Sequence, residues 1–268
     1  MLFGKTALIT GGGGGLGIGI AKVLAEQGAR IVVLDMTAEA CQHACDALLA
    51  EGLDPSDGVQ IDVSSADSVA RAFVEVDRLV DRIDILVNCA GVREVSSVFE
   101  LSAAEWDRVI AINLSGPFYC AREAALRMRE SRGGSIVNIS SVAAMLGMPH
   151  RPAYNASKAG LMGLTRNLAK DLAPWKIRVN AVAPGLLRTP LTEPYFDDPA
   201  FERGLDHVVP LGKGGTPRDV GQAVLYLSSP MAEFVTGIML PVDGGWSSEK
   251  GYTVGDGPSP YTSSTSST

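Results

Sequence analysis

The 268-residue sequence predicts a single-domain α/β fold, in which a doubly wound parallel sheet of seven strands carries helices on both faces. Continuous apolar runs alternate with amphipathic stretches of helical period, and this pattern is typical of a parallel sheet covered on both sides. The chain shows no repeat of about 20–50 residues and no internal linker. A single α/β domain can reach roughly 250 residues, so the length requires no second domain.

Seven short runs are predicted as strands because they are apolar and rich in residues that favour strands. They are KTALIT (5–10), ARIVVLD (29–35), GVQID (58–62), IDILVNCA (83–90), GSIVNIS (134–140), KIRVNAVAP (176–184) and IMLPVDGG (238–245). Six amphipathic stretches between them predict helices. These are GIGIAKVLAEQ (17–27), TAEACQHACDALLAE (37–51), ADSVARAFVEVDRLVD (66–81), SAAEWDRVIAINL (102–114), PFYCAREAALRMRE (117–130) and SKAGLMGLTRNLAKDLA (157–173).

The predicted domain covers residues 1–248 and contains one long interruption of the pattern. Residues 190–216 hold four prolines and four glycines, so an irregular segment is expected there. A loop of this length inside a compact domain is usually functional, and we assign residues 186–216 as a substrate loop. Residues 249–268 are rich in Ser, Thr and Gly and are predicted to form a tail outside the packed domain.

Composition and charge argue against several classes of function. The net charge of -7 and the pI of about 5.0 argue against nucleic acid as the main partner. The start MLFGKTALIT has no basic segment followed by a long apolar one, and no run of 18 apolar residues occurs, so neither a secretory signal nor a membrane span is expected. The four cysteines and three histidines lack metal-ligand spacing, so no metal site is expected. Reduced thiols in the cytoplasm are the simplest interpretation of the four cysteines.

A run of glycines follows the first predicted strand. The segment TGGGGGLG spans Thr10–Gly17 and leads directly into a helical pattern. Glycines allow a tight turn and a close approach of the backbone to a pyrophosphate, and a helix N-terminus supplies N–H donors. The alternative is a flexible turn, but a strand before, a helix after and an acid downstream favour a dinucleotide site and a Rossmann fold.

The acid downstream of this loop is Asp35, which ends the second predicted strand. A carboxylate at this point accepts hydrogen bonds from both ribose hydroxyls and repels a 2′-phosphate. The glycine loop contains no Arg or Lys, and Met36 follows the acid. The sequence therefore favours NAD over NADP, and the alternative for Asp35 is an ordinary acid at a strand end.

Tyr154 and Lys158 lie four residues apart in AYNASKAG, after Pro152. In a helix this spacing places both side chains on one face, one turn apart. The ammonium would then favour the deprotonated phenol, so that Tyr154 could exchange a proton near neutral pH. A solvated surface pair is the alternative, and a two-residue pattern alone does not decide between them.

Three separated motifs together resemble the classical short-chain dehydrogenase/reductase (SDR) family. They are the glycine loop, the NCAG segment at 88–91 and the YNASK segment at 154–158. The resemblance extends from residue 4 to about residue 246 without a large gap. Cys89 stands where the family has a second Asn, a mild change in a segment that supports the sheet and the cofactor.

The resemblance implies a set of functional residues. The implied catalytic residues are Asn113, Ser141, Tyr154 and Lys158. The implied cofactor-binding residues are Gly11, Gly15, Leu16, Gly17, Asp35, Asp62, Val63, Asn88, Ala90, Gly91, Tyr154, Lys158, Pro184, Gly185, Leu187 and Thr189. Ser141 is chosen over Ser140 because the family serine lies 13 residues before the tyrosine. No metal is implied.

The family chemistry implies interconversion of a secondary alcohol and a ketone with NAD as cofactor. Tyr154 would act as general acid or base, Ser141 would bond the reacting oxygen, and Lys158 would bind ribose hydroxyls. The resemblance includes 3-oxoacyl carrier-protein reductases and alcohol, sugar and polyol dehydrogenases, and it implies a homotetramer. A 3-oxoacyl thioester reductase and an NAD-binding sensor without turnover remain alternatives. An enoyl reductase is disfavoured, because such relatives space Tyr and Lys more widely.

The substrate wall is expected from three segments, which follow Gly91, Ser141 and Thr189. Its candidate residues are Arg93, Ser141, Ala143, Met145, His150, Leu186 and Tyr195. Leu, Met and Ala suggest a largely apolar pocket. Arg93 and His150 are candidates for contact with a polar or anionic group, with ordinary surface roles as the alternative.

Overall fold

A computed structural model shows the fold of the chain and describes residues 1–54, 56–131, 133–190, 192–198, 201, 204–205 and 208–248. The predicted tail at 249–268 lies outside the described residues, as does part of the predicted substrate loop. Across the described residues the predicted seven-stranded parallel sheet with helices on both faces is confirmed.

The strands pair in the order β3-β2-β1-β4-β5-β6-β7, and every pair is parallel. They are β1 (Thr6–Thr10), β2 (Arg30–Asp35), β3 (Asp57–Gln60), β4 (Ile85–Asn88), β5 (Gly134–Ile139), β6 (Ile177–Pro184) and β7 (Met239–Val242). The order reverses direction between β1 and β4. In an open parallel sheet, a crevice for a ligand opens at the carboxyl ends of the strands at such a point.

Helices connect the strands and cover both faces of the sheet. They are α1 (Gly15–Glu26), α2 (Ala38–Leu49), α3 (Ala66–Leu79), α4 (Ala103–Ile110), α5 (Gly116–Glu130), α6 (Pro152–Leu172), α7 (Glu193–Phe196) and α8 (Pro217–Ser228). Helices α1, α2 and α8 pack on one face of the sheet, and α3, α5 and α6 pack on the other. Successive strand residues point to opposite faces, so that Ala7 and Ile9 belong to the first core layer and Leu8 to the second.

Two helical features differ from the sequence-based expectation. The predicted helix at 102–114 ends at Ile110, and a π-helical turn at Ala111–Ser115 joins it to α5. Helix α8 was not predicted, although its start carries a recognisable signal. Thr216 caps the helix, Pro217 follows, and Asp219 completes a capping box, since its carboxylate accepts the backbone N–H of Thr216.

The predicted irregular segment at 190–216 contains more structure than expected where it is described. The helical turn α7 begins at Glu193, and Phe196, Leu205 and Val209 form a small apolar cluster of their own. Leu186 and Trp246 pack against this cluster, which places the segment over the carboxyl ends of the strands. The apolar residues of the loop therefore hold it together locally, and the main core does not include them.

A chain of polar side chains crosses the centre of the apolar sheet. Asn88 of β4 lies directly opposite Asn138 of β5, and its Nδ2 donates to Asn138 Oδ1 at 2.8 Å. Asn138 Nδ2 in turn donates to Thr165 Oγ1 of α6 at 2.9 Å. All three side chains are buried, so this chain of hydrogen bonds joins both central strands to the helix packed on them.

Candidate active site

A cavity of about 1020 Å³ opens at the carboxyl ends of the strands. Many of the residues implied by the sequence line it, namely Gly11, Gly15, Leu16, Gly17, Asp35, Val63, Ala90, Gly91, Arg93, Ser141, Tyr154, Lys158, Pro184, Gly185, Leu186, Leu187 and Thr189. Among the described residues, Asp62, Asn88, Asn113, Ala143, Met145, His150 and Tyr195 do not line it. The volume lies at the upper end of the roughly 300–1,000 Å³ typical of small-molecule sites.

The glycine loop follows β1 and turns into α1 at Gly15. Gly11 adopts a positive φ of 63°, and a Cβ at that position would lie 2.7 Å from the Cα of Ala90. A Cβ at Gly17 would overlap the carbonyl oxygen of Gly11. Glycine is therefore required at both positions, because any side chain would push the loop out of its tight turn. The freed space lies in front of the N-terminus of α1, where N–H groups point outward.

The loops after β1 and β4 are joined by one hydroxyl. Thr10 Oγ1 accepts the backbone N–H of Cys89 at 3.1 Å and that of Ala90 at 3.2 Å. This pair of bonds holds the segment that leads to Gly91 against the glycine loop. The floor of the cavity is therefore a rigid piece of backbone contributed by two neighbouring strands.

Asp35 ends β2 at the rim of the cavity. Its Oδ2 accepts the N–H of Gly13 at 2.8 Å, and its Oδ1 accepts the N–H of Met36 at 2.7 Å. Met36 and Ala40 line the cavity beside it, so none of these neighbours carries a positive charge. The carboxylate keeps free lone pairs for further donors, because each oxygen can accept two hydrogen bonds.

Lys158 lies on α6 and is almost completely buried, with 5% of its surface exposed. Its ammonium donates to the carbonyl of Ile139 at 2.9 Å, at the end of β5. The Nζ atom lies 5.6 Å from the ring centroid of Tyr154. The predicted helical spacing is therefore realised, and both side chains face the same cavity.

Asn113 lies in the π-helical turn between α4 and α5 and is fully buried. Its Oδ1 accepts the N–H of Val92 at 2.9 Å, while its Nδ2 donates to the Val92 carbonyl at 2.8 Å and to Ser157 Oγ at 3.1 Å. A Cβ at Gly91 would lie 3.4 Å from Asn113 Oδ1 and 3.5 Å from Lys158 Nζ. Asn113 thus fixes the segment after β4 against α6, close to the ammonium.

The two serines after β5 have different surroundings. Ser140 Oγ donates to the carbonyl of Lys158 at 3.1 Å and is buried. Ser141 Oγ accepts the N–H of Ala143 at 3.1 Å and keeps its own proton free to donate. Both serines line the cavity with Tyr154, but the hydroxyl proton of Ser140 is already used, so Ser141 is the better placed of the two to donate to a substrate oxygen.

Tyr154 lies in the first turn of α6, and its position depends on a residue that the sequence did not reveal. Glu94, in the segment after β4, is buried, and its Oε1 accepts the N–H groups of Ala153 at 2.7 Å and Tyr154 at 3.0 Å. Arg151, which directly precedes the helix, provides no side-chain cap. A carboxylate distant in sequence thus satisfies the N–H groups at the start of the helix.

The predicted substrate residues fall into two groups. Arg93 and Leu186 line the cavity, and the Arg93 guanidinium carbon lies 6.0 Å from the ring centroid of Tyr195. Ala143 is buried, and Met145 is exposed. His150 adopts a positive φ of 58°, and its carbonyl accepts the N–H of Ser96 at 2.9 Å.

Several lining residues were not singled out from the sequence, among them Arg108, Val142, Met148, Arg151, Pro190, Thr192 and Trp246. Arg151 and Met148 occupy the segment between Ser141 and Tyr154, whose position between two functional residues was an available signal. Pro190 lies against the glycine loop, since a Cβ at Gly15 would be 2.9 Å from its Cδ. Pro190, in the segment predicted as the substrate loop, therefore lies beside the N-terminus of α1.

Cys89 lines the cavity but is not an active nucleophile. Burial raises the pKa of its thiol to about 12, although Lys158 acts in the opposite direction. The thiol therefore stays protonated near neutral pH, and nucleophilic catalysis requires the thiolate. Across the part of the chain that the structure describes, no group of three or more His, Cys, Asp and Glu side chains is arranged to hold a metal ion.

None of the described helices is both long and apolar enough to cross a bilayer. The four cysteines are all described, and all four are free thiols.

Comparison with known proteins identifies related sequences. A family described as enoyl-(acyl carrier protein) reductase matches residues 12–247. The chain is 36% identical to the 3-oxoacyl-[acyl-carrier-protein] reductase FabG of Aquifex aeolicus, over 91% of this chain and 98% of that protein. It is 38% identical to a cyclopentanol dehydrogenase of Comamonas sp., over 90% and 96% of the two chains.

The fold is also close to solved structures. A gluconate 5-dehydrogenase of Burkholderia cenocepacia, in complex with NADP and tartrate, superposes with a TM-score of 0.87. It shares 35% sequence identity and covers 93% of this chain and 97% of its own. Fold, cavity and near full-length similarity therefore agree, and the chain belongs to the classical short-chain dehydrogenase/reductase family.

Proposed function

We propose that the protein is an NAD(H)-dependent oxidoreductase that interconverts a secondary alcohol and a ketone, with Tyr154 as general acid or base. One observation carries the proposal. Ser141, Tyr154 and Lys158 line a single cavity together with the glycine loop and Asp35. A proton-transferring group and a dinucleotide cradle are thereby placed within reach of one bound substrate.

The residues present fit a nicotinamide dinucleotide. The glycine loop leaves space that a Cβ at Gly11 or Gly17 would fill, and the N-terminus of α1 faces that space. Asp35 would accept the adenosine ribose hydroxyls, beside the apolar lining residues Ile61 and Val63. When bound, the cofactor supplies or accepts the hydride.

Tyr154 and Ser141 are proposed to act on the same substrate oxygen. In alcohol oxidation the phenolate oxygen of Tyr154 accepts the hydroxyl proton, while Ser141 Oγ–H donates a hydrogen bond that stabilises charge on that oxygen. In ketone reduction the phenol returns the proton. Lys158 holds a positive charge near the phenol, and its remaining N–H groups are available to ribose hydroxyls.

Asn113 is proposed to support this proton transfer by fixing local structure. Its buried side chain holds Val92 and Ser157 together, which keeps Gly91 beside Lys158. A water held at the π-helical turn would continue the proton path from Lys158, as the family resemblance implies. The chain's own contribution is to hold and move a proton at the Tyr154 oxygen.

The choice of NAD over NADP rests on Asp35. A carboxylate at this position repels a 2′-phosphate, and the neighbouring Met36 and Ala40 offer no positive charge to bind one. The related gluconate 5-dehydrogenase was solved with NADP, so the choice needs a direct measurement. We expect NAD to give the higher kcat/KM when both cofactors are compared at 340 nm with a panel of secondary alcohols and ketones.

The matched variant for this measurement is Asp35→Ala. Removal of the carboxylate should raise kcat/KM with NADP by roughly tenfold or more, since about 1.4 kcal/mol corresponds to tenfold. Asp46→Asn, on the exposed face of α2, serves as the control and should leave the ratio unchanged. Equal use of both cofactors by the unchanged protein would contradict the assignment of NAD.

Two alternatives are separated by the same panel. The similarity to FabG favours a 3-oxoacyl thioester reductase as the second candidate, and a 3-oxoacyl thioester in the panel tests it directly. An NAD-binding sensor would bind the cofactor without turnover of any alcohol or ketone. The enoyl reductase named in the family description is disfavoured by the four-residue spacing of Tyr154 and Lys158.

The quaternary structure and location complete the proposal. A homotetramer is supported by large apolar side chains exposed on α4 and α5, including Trp106, Phe118 and Leu126. Four free cysteines are compatible with the cytoplasm. The proposed partners are a small-molecule alcohol or ketone and three further copies of the chain.

A further inference from the structure

We propose that the substrate is an anion, whose carboxylate or phosphate group binds between Arg93 and Arg151. This inference rests on the proposed function, because it concerns the molecule whose alcohol or ketone group reaches Tyr154. Both arginines line the same cavity as Ser141 and Tyr154, and both are half-buried. They come from different segments, one after β4 and one directly before α6.

Neither guanidinium forms a salt bridge with any acidic residue that the structure describes. The third arginine among the described residues that line the cavity is paired. Arg108 also lines it, but two hydrogen bonds of 2.8 Å hold its guanidinium to Glu105. Arg93 and Arg151 therefore keep their donors for a ligand, and a half-buried charge is stabilised when an opposite charge joins it.

The acidic groups nearby are already engaged. Asp35 is the one acidic residue among the described residues that line the cavity, and it bonds the glycine loop at the end of β2. Glu94 follows Arg93 in sequence, but its carboxylate is buried and accepts the N–H groups of Ala153 and Tyr154. With Arg108 paired to Glu105, the three cations Arg93, Arg151 and Lys158 against the two carboxylates of Asp35 and Glu94 leave a net positive charge at the cavity.

Arginine also matches the shape of the proposed ligand group. Its planar guanidinium forms paired hydrogen bonds to a carboxylate or phosphate, which gives both affinity and orientation. The Arg93 guanidinium carbon is 6.0 Å from the Tyr195 ring, so Arg93 reaches towards the substrate loop. An anion held there would lie in the same cavity as Ser141 and Tyr154, which would act on its alcohol or ketone group.

The binding test uses malonate as the anionic probe and malonamide as its neutral counterpart. Calorimetry on the full-length protein with NAD present should show binding of malonate but not of malonamide. Arg93→Met and Arg151→Met should each weaken malonate binding about tenfold or more, the loss of one charge-assisted pair. Arg71→Met, on the exposed surface of α3, is the matched control and should bind malonate like the unchanged protein.

The kinetic test compares secondary alcohols of one carbon skeleton that are neutral, carboxylated or phosphorylated. An anionic member should show the highest kcat/KM, and the two arginine variants should raise KM for that member only. The carboxylate and phosphate arms identify which anion is preferred. Equal turnover of neutral alcohols, or malonate binding that survives both variants, would overturn the anionic site. Absence of turnover alongside normal malonate binding would instead contradict the proposed function.

A second inference comes from the contacts of Glu94. We infer that Glu94 is a positioning residue, which holds the first turn of α6 and with it Tyr154. Its Oε1 accepts the N–H of Ala153 at 2.7 Å and of Tyr154 at 3.0 Å, and its Oε2 lies 3.2 Å from the same Tyr154 nitrogen. Only 4% of the residue is exposed, so water cannot easily replace these bonds.

The position of Tyr154 makes this contact important. It is the third residue of α6, within the turn that lacks backbone partners for its N–H groups. A carboxylate at the positive end of a helix is also favoured by the helix dipole. The N–H of Ser96 bonds the carbonyl of His150 at 2.9 Å, so two links join the segment after β4 to the start of α6.

The test compares Glu94→Ala with the conservative Glu94→Gln, which keeps one acceptor oxygen. We expect the alanine variant to lower kcat about tenfold with little change in NAD affinity, and to speed amide hydrogen exchange at the start of α6. The glutamine variant should restore most of kcat and most of the protection from amide hydrogen exchange. Glu100→Gln, at an exposed position in the same segment, should behave like the unchanged protein. A folded alanine variant with full kcat, or a glutamine variant no better than alanine, would overturn the inference.

Discussion

Lys158 has few partners for a buried ammonium. Within the described part of the chain its hydrogen-bond partner is the carbonyl of Ile139, while the group carries three donors. Since an unpaired buried donor costs free energy, the remaining donors are expected to be satisfied by the cofactor and by solvent in the cavity. We therefore expect ligand binding to complete the hydrogen bonds of this ammonium.

The role of Tyr154 is tested by removal of a single oxygen. Tyr154→Phe should lower kcat by about 10²–10⁴-fold, the range attributed to a general acid or base, while NAD affinity stays nearly unchanged. The control is Tyr226→Phe on α8, which should keep full activity. Steady-state kinetics at 340 nm and NAD titration by fluorescence provide the two readouts, and full activity of Tyr154→Phe would exclude the proposed chemistry.

Cys120 gives a pH dependence that follows from burial. The thiol is fully enclosed on α5, and desolvation raises its pKa to about 12. The unfolded thiol releases its proton near pH 8.5, so the folded state holds the proton more tightly above that value. Stability must therefore fall as the pH rises from about 8.5 towards 12, by up to ~1.4 kcal/mol per pH unit.

Denaturant unfolding with a reductant present, at pH 8 to 11, measures this effect. The free energy of unfolding of the unchanged protein should decline more steeply with pH than that of Cys120→Ala, which has no thiol to titrate. The variant also loses packing at every pH, so the slopes carry the information and the absolute values do not. Parallel slopes would contradict the assignment.

The crossing of α1 and α8 depends on glycines at the contact. A Cβ at Gly19 would overlap the side chain of Pro217, and a Cβ at Gly221 would lie 2.8 Å from Val23 Cγ2. Because α1 also forms the end of the glycine loop, this close contact connects the second half of the domain to the proposed cofactor site.

A pair of glycine variants tests the contact. Gly19→Ala should lower the free energy of unfolding by about 1–3 kcal/mol, because overpacking forces the two helices apart. Gly163→Ala lies in α6 with no atom within 4 Å of the added carbon, and it should raise stability by up to about 1 kcal/mol through helix propensity. Chemical denaturation measures both. A neutral Gly19→Ala would show that the helices adjust freely.

Most strands and helices were predictable because their patterns are local. The strand ending at Asp35 and the glycine loop before α1 could be read from hydrophobic runs and turn residues alone. Helix α8 was not predicted although Thr216, Pro217 and Asp219 mark its start, because the prolines and glycines before it indicate continued irregular structure.

The parts of the site that escaped prediction depend on contacts distant in sequence. Glu94 bonds N–H groups about 60 residues away, and no local pattern distinguishes it from an exposed acid. Arg151 lines the cavity together with Arg93 and Gly91, which are about 60 residues away in sequence. The residues from Gly11 to Lys158 that match the family motifs were identified because motif spacing is visible in the sequence.

The proposed tetramer should bury the apolar side chains that α5 and the segment before α4 expose. Phe118 and Leu126 of α5 are 42% and 41% exposed, and Phe99 before α4 is 95% exposed. Light scattering after size exclusion should give four times the chain mass of 28.1 kDa. The double variant Phe118→Glu with Leu126→Glu should give a smaller mass, because charges at an apolar interface oppose association.

Val74→Glu, on the exposed side of α3, is the control for this experiment and should keep the mass of the unchanged protein. A monomeric unchanged protein would contradict the tetramer outright. Equal dissociation by the control would show that added negative charge alone, and not the surface of α5, is responsible.

The hydrogen bonds that join Asn88, Asn138 and Thr165 have a consequence for how accurately the chain assembles. The valines and isoleucines of β4 and β5 would tolerate an alignment shifted along the strands. A shift would, however, leave three buried polar side chains without hydrogen-bond partners, at a cost of about 1–3 kcal/mol each. Misaligned intermediates are thereby disfavoured during folding. Because Thr165 lies on α6, which also carries Tyr154, the same loss of hydrogen bonds destabilises any misplaced packing of α6 on the sheet.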